Sequence, residues 1–150
     1  PPGSPPPPEV KNGVTFLLTK DDRIFYYVGQ FYAAGNEKGA PPTDLKETNF
    51  SPEGLHKLLT EQNKWAIDEI KSLTEKNKNK LLADTTFKRM AVDATADTKA
   101  ITVLIKTDDQ ATYKNAIDML DELKICNVGK RVLGVEMMAT EYALLQEKIK

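Results

Sequence analysis

The fold is decided by residues 100–135, which read AITVLIKTDDQATYKNAIDMLDELKICNVGKRVLGV. Residues 100–105 form a nearly continuous apolar run, which is typical of a strand covered on one or both faces. Apolar side chains then recur at helical spacing over residues 111–125, and residues 132–135 again favour a strand. A strand, a helix and a strand joined by short connections predict parallel pairing with a right-handed crossover.

A β-hairpin is predicted upstream of this unit. Residues 14–18 and 24–28 read VTFLL and IFYYV, both rich in β-branched and aromatic side chains, and KDDR at residues 20–23 suits a tight turn. Residues 29–49 contain glycines, prolines and few aliphatic side chains. We expect a long loop there, and loops of that length are usually either functional or disordered.

Helices fill most of the remaining chain. Ser51, Pro52 and Glu53 suit the start of a helix that continues to about residue 75. A short helical turn is expected after Asp84, and a last amphipathic helix begins at Thr140. The element order predicts an α+β fold in which a small mixed sheet carries its helices on one face. Dimerisation through the sheet would then cover its other face or an edge strand.

Composition limits the classes of function. A chain of 150 residues fits one domain, which we expect over residues 13–150. Its 21 basic and 22 acidic residues give a net charge of -1, which argues against nucleic acid and against broad contact with anionic lipid. No apolar run approaches the ~20 residues of a membrane-spanning helix.

Residues 1–12 are expected to be a proline-rich linker. Proline fixes φ and lacks an N–H, so this segment favours extended polyproline II over helix or interior strand. The chain opens at Pro1 without a Met. We therefore expect it to be part of a longer protein with a further segment upstream.

Few residues point to catalysis. Cys126 is the one cysteine, which excludes an internal disulfide and a cysteine-rich zinc site, and His56 is the one histidine, which argues against a multi-histidine metal site. Cys126 extends an apolar helix face and is interpreted as a buried thiol rather than a nucleophile, and His56 as an exposed helix residue. Nucleotide-binding and nucleophile-elbow motifs do not occur. We predict no enzyme activity, no metal and no cofactor.

Asp108 is the most notable carboxylate. It follows the end of a strand in the predicted parallel unit, where parallel sheets commonly present functional groups. It also precedes the helix that begins near Ala111, so capping of that helix is the favoured interpretation. Tyr113 follows Asp108 by five positions, and residues 116–121 read AIDMLD.

This succession resembles the periplasmic domain of the ExbD/TolR family, in which a strand ends in Asp, a Tyr follows at the same interval and a helix with a V-x-D type pattern comes next. Residues 132–135 are similar to the strand that closes that domain, and residues 14–28 to its hairpin. The resemblance covers residues 14–30, 51–60 and 100–136. The chain departs from the family at Asn127, where Gly is usual, although Asn also suits a left-handed helix end.

The resemblance implies a bacterial inner-membrane protein with one transmembrane helix, a linker and a dimerising periplasmic domain. Such proteins work with a channel-forming ExbB/TolQ pentamer that uses the proton-motive force. The ExbD branch energises TonB for transport across the outer membrane, and the TolR branch serves envelope integrity and contacts peptidoglycan. The family's proton-carrying Asp lies in the transmembrane helix, which is expected outside this chain.

An exposed strand edge is the expected contact for a partner, because main-chain hydrogen bonds tolerate variable partner sequences. Val14, Phe16 and Leu18 of the first strand are the candidates for exchange between protomers or for pairing with a TonB-like segment. The alternative is that they form only an internal hairpin. A free-standing module that binds peptidoglycan or a small ligand through the 29–49 loop is a second hypothesis for the whole chain.

Overall fold

The computed structural model describes residues 11–150, so positions 1–10 of the expected linker lie outside the described residues. Five strands form one sheet: β1 Gly13–Leu18, β2 Ile24–Val28, β3 Lys46–Thr48, β4 Thr102–Thr107 and β5 Lys130–Leu133. A π-helical turn spans Pro52–His56. The helices are α1 Lys57–Gln62, α2 Lys64–Lys78, α3 Asp84–Ala96, α4 Tyr113–Ile125 and α5 Ala139–Ile149.

The sheet is mixed, with the strand order β3-β2-β1-β4-β5. β1 pairs antiparallel with β2 and parallel with β4, and β2 pairs antiparallel with β3. β4 precedes α4 in the sequence and β5 follows it, and the two strands pair in parallel. The α+β class, the hairpin and the parallel strand–helix–strand unit are therefore confirmed.

β1 is the central strand, and this corrects the expected partner edge. Val14, Phe16 and Leu18 are buried and at most 1% exposed. β2 occupies one hydrogen-bonding edge of β1 and β4 occupies the other. Both edges of β1 are therefore occupied, and a partner's strand cannot pair with it in this fold. The alternative, in which Val14, Phe16 and Leu18 belong to an internal hairpin, is the one that the structure shows.

The two faces of the sheet are covered by different helices. Alternate residues of β1 point to opposite faces. On the first face, Phe16 belongs to a core that includes Leu59 of α1 and Leu123 of α4. On the second face, Leu17 packs in a cluster with Leu145 of α5. The expectation of helices on one face thus holds for the π-helical turn, α1 and α4 but is wrong for α5. A strand that is apolar on both faces requires two covers, and α5 supplies the second.

Several boundaries differ from the predicted ones. The helix expected over residues 51–75 is divided at Asn63, whose amide group donates to the carbonyl oxygens of Cys126 and Asn127 at 3.0 and 3.1 Å. The same side chain accepts a bond from the Ile101 N–H at 3.2 Å. Asn63 thereby joins the α1–α2 junction, the end of α4 and the start of β4. The segment predicted as a loop also contains β3.

A buried ion pair fixes α5 to the second face. Lys106 of β4 and Glu141 of α5 have side chains that are 1% and 0% exposed, and Lys106 Nζ lies 2.6 Å from Glu141 Oε1. Tyr27 donates its hydroxyl to the other carboxylate oxygen, and the Met138 N–H donates to Oε1 at 2.8 Å. Burial, and then the bond to Glu141, raises the pKa of Tyr27 well above its usual value, so the hydroxyl remains a donor.

Replacing Lys106 should therefore destabilise the fold. Lys106→Met leaves the Glu141 carboxylate buried without a cation, and we expect a loss of about 3–5 kcal/mol in the free energy of unfolding. Lys106→Met/Glu141→Gln removes both charges and keeps an acceptor for Tyr27, so it should recover about 1–3 kcal/mol of that loss. Urea unfolding followed by circular dichroism measures both changes.

The matched control is Lys114→Met, which removes an exposed lysine whose Nζ lies 2.6 Å from Asp118 on α4. Its cost should stay below about 0.5 kcal/mol, because exposed pairs contribute little. Equal costs for Lys106→Met and Lys114→Met would contradict the assigned role of the buried pair.

Candidate functional site

β5 is one of the two edge strands of the sheet. It pairs with β4 along one side, and within residues 11–150 no strand pairs with its other side. Val132 and Leu133 are 44% and 49% exposed although both are apolar. They are adjacent in the strand and therefore lie on opposite faces. The end of β5 thus offers free backbone groups with an exposed apolar side chain on each face.

The opposite edge, β3, is polar and short. It comprises the three residues Lys46–Thr48. Arg23 donates to both carboxylate oxygens of Glu47, at 2.9 and 3.1 Å. This guanidinium lowers the pKa of the Glu47 carboxyl. Short length and charge are common means of protecting an edge strand. β5 is only one residue longer and begins with Lys130 and Arg131, but it also exposes Val132 and Leu133, so it is the edge with apolar side chains to offer an added strand.

Asp108 shapes the turn between β4 and α4. Its Oδ1 accepts the N–H groups of Gln110 and Ala111 at 2.9 and 3.0 Å, and its Oδ2 accepts the Thr19 hydroxyl at 2.5 Å. The prediction that Asp108 caps α4 is wrong in detail, because Thr112 is the residue that caps this helix. Asp108 instead fixes the turn before the cap and links it to the end of β1.

Tyr113 is the first residue of α4 and is 82% exposed. Its side chain therefore lies on the surface, whereas Asp108 is half-buried and engaged in the turn. The Asp–Tyr interval reflects two separate roles, a turn acceptor and an exposed aromatic residue. Tyr113 remains available for contact with a partner.

The 29–49 segment forms an ordered loop above α5. Asn36 donates to the carbonyl oxygens of Ala33 and Ala40 at 2.9 and 2.8 Å, and the Thr43 hydroxyl accepts the Tyr32 N–H at 2.7 Å. A cleft of about 290 Å³ lies between this loop and α5. The residues that line it include Phe31, Tyr32, Pro42, Leu144 and Glu147.

A third feature joins the only histidine and the only cysteine. His56 Nδ1 lies 2.5 Å from Glu122 Oε1, and Cys126 Sγ lies 3.6 Å from each of these atoms. His56 is predicted to be an exposed helix residue, and the structure corrects this to a half-exposed side chain, 44% exposed, that pairs with Glu122. Cys126 is buried, as expected.

The Cys126 thiol is poorly suited to nucleophilic catalysis. Burial, followed by the charge of Glu122 and the bond to it, raises the pKa of Cys126 to about 12. The sulfur is therefore protonated near neutral pH, whereas nucleophilic cysteines have a lowered pKa.

Sequence reasoning missed the cluster of His56, Glu122 and Cys126 because His56 is 66 positions from Glu122. Only the i,i+4 spacing of Glu122 and Cys126 was visible in the sequence.

Comparisons of the chain with models of protein families, with curated proteins and with solved structures find no match. The resemblance to the ExbD/TolR family thus stays a prediction from the motif residues and their order along the chain. Within residues 11–150, every helix is too short or too polar to cross a bilayer.

The native thiol should resist alkylation. With a chelator present at pH 8, we expect iodoacetamide to label Cys126 at least ~100-fold more slowly in the folded protein than in urea, because the sulfur is buried and protonated. Intact-mass spectrometry over time measures both rates. Labelling of the folded protein as fast as in urea would show an accessible thiol, and faster labelling than in urea would show an activated nucleophile. Either result would overturn this interpretation.

Proposed function

We propose that this chain is the periplasmic interaction domain of an ExbD-like inner-membrane subunit. In this role it works with an ExbB-like channel, forms a homodimer and passes force to a TonB-like partner for transport across the outer membrane. The observation that carries the proposal is the β5 edge, which combines free backbone groups with the exposed Val132 and Leu133. The element order and the positions of Asp108 and Tyr113 also support the proposal, because they match the pattern on which the resemblance to the family is based.

Strand addition suits a domain that must hold a partner under load. An extended segment that pairs with β5 gains main-chain hydrogen bonds, which depend little on the partner's sequence. Val132 and Leu133 would then bury apolar surface on both faces of the added strand. Arg131, which is also exposed, would favour an acidic residue in that segment.

The sheet offers a short path for force. β1 begins at Gly13, directly after the proline-rich linker, and six residue pairs connect β1 to β4. Four further pairs connect β4 to β5. A pull that enters through the linker would therefore cross two parallel ladders before it reaches the partner's strand. A pull along the strand direction would load several hydrogen bonds of each ladder together.

A peptidoglycan-binding or other ligand-binding module, including one of the TolR kind, is the second candidate. The cleft between the loop and α5 favours it, because Phe31 and Tyr32 supply aromatic surface and Glu147 supplies a carboxylate. Pockets with mostly apolar walls and a few polar groups are typical of small-ligand sites. In this hypothesis the β5 edge has no role in function.

Charge on the β5 edge should abolish transport. In cells whose only copy of the parent gene carries Val132→Lys/Leu133→Lys, we expect uptake that depends on the proton-motive force to fall at least ~10-fold, because exposed lysines oppose strand addition. The matched control is Leu81→Lys/Val92→Lys, at two apolar positions that are 77% and 65% exposed away from the sheet. Uptake should be unchanged in the control. Urea unfolding of both purified variants checks that they are folded.

Normal uptake in the β5 variant would contradict the proposal. If isolated peptidoglycan also binds the protein and Tyr32→Ala abolishes that binding, the result would favour the binding module.

A further inference from the structure

We propose that His56, Glu122 and Cys126 form a zinc site with three protein ligands and a fourth position open to solvent. The proposal is independent of the transport function. Among the residues that the structure describes, these three bring ligand atoms within 4.8 Å of one another. Imidazole, carboxylate and thiolate are all common zinc ligands, and three protein ligands with one open position is a frequent arrangement.

The distances fit a tetrahedral ion with one small adjustment. Bond lengths of about 2.0–2.3 Å place the ligand atoms of tetrahedral zinc about 3.3–3.6 Å apart. Cys126 Sγ lies 3.6 Å from both His56 Nδ1 and Glu122 Oε1, which already matches. The imidazole and the carboxylate are hydrogen-bonded at 2.5 Å and must separate by about 0.8 Å to admit the ion. The His56 side chain is partly exposed, so it has room to turn.

The fold holds the three ligands in place. Glu122 and Cys126 are four residues apart at the end of α4 and therefore lie on one helix face. The Asn63 amide binds the Cys126 carbonyl oxygen and so fixes the end of that helix. His56 ends the π-helical turn, whose Leu55 is buried in the same core as Leu123. Short π-helical turns occur frequently at functional sites.

The charges and the chemical types of the three ligands also fit a zinc ion. Zinc binding requires the thiol to lose its proton to solvent, and the resulting thiolate and the Glu122 carboxylate together neutralise Zn²⁺. A coordinated thiol is deprotonated by the ion itself, so burial of the free thiol is no obstacle. Mg²⁺ and Ca²⁺ prefer oxygen ligands alone, so the sulfur and the imidazole nitrogen favour zinc.

Titration of the full chain with Zn²⁺ tests the proposal. We expect isothermal titration calorimetry of the chelator-treated protein to show one ion bound per chain. Cobalt(II), as a spectroscopic probe, should give the near-ultraviolet absorption of a thiolate–cobalt bond. Zn²⁺ should also raise the melting temperature, because it binds the folded state and joins the π-helical turn to α4.

Each ligand variant should weaken binding by at least as much as the loss of an outer-shell partner of a metal ligand, which costs about 10–100-fold in affinity. The variants are His56→Gln, Glu122→Gln and Cys126→Ser, and the cobalt band should be absent from Cys126→Ser. The matched control, Asp121→Asn, removes an exposed carboxylate beside Glu122 and should bind like the wild type. Glu122→Gln keeps a side chain of the same size, so it tests the ligand even if Cys126→Ser folds poorly.

The proposal is overturned if the folded wild-type chain binds no Zn²⁺ or gives no cobalt–thiolate band. It is also overturned if Glu122→Gln and His56→Gln bind as tightly as the wild type. In either case the three side chains would form only a hydrogen-bonded contact between the π-helical turn and α4.

Discussion

Strand β1 is buried on both faces and hydrogen-bonded along both edges, and the rest of the fold follows from this constraint. Its residues from Gly13 to Leu18 are all buried. Two layers are required to cover such a strand, and two neighbours are required to satisfy its backbone. The hairpin partner β2 and the parallel partner β4 supply the edges. A strand of another chain could therefore pair only with an edge strand, β3 or β5, and of these β5 carries the exposed apolar side chains Val132 and Leu133.

The position of α5, which covers the second face of the sheet, depends on a polar interaction inside an apolar layer. Lys106 follows the apolar run of β4 and faces the side of the sheet on which α5 lies. Without Glu141 its ammonium would be buried unpaired, which costs several kcal/mol. The ion pair and the Tyr27 hydroxyl thus give α5 one position out of the many that a purely apolar contact would permit.

The sequence predicts the parts of the fold that depend on local pattern. The runs at residues 14–18 and 100–105 predict strands because their side chains suit a buried sheet. Asp108 is predicted to cap α4, and the structure corrects this, since its carboxylate accepts the N–H groups of Gln110 and Ala111 in the turn before the cap. Contacts between distant residues leave no such signal. The Lys106–Glu141 pair and the His56–Glu122 contact became visible only when the topology brought their elements together. β3 reads KET, in which only Thr48 is typical of strands, so the sequence predicts a loop there.

The central claim is that the domain holds its partner by adding a strand to β5. Hydrogen–deuterium exchange of the full chain, alone and in complex with the TonB-like partner, tests it most directly. We predict that amides of residues 130–133 exchange more slowly in the complex, while those of β1 exchange slowly in both states because they are already paired. Slower exchange confined to residues 29–45 and α5, with β5 unchanged, would contradict the claim and place the partner at the cleft.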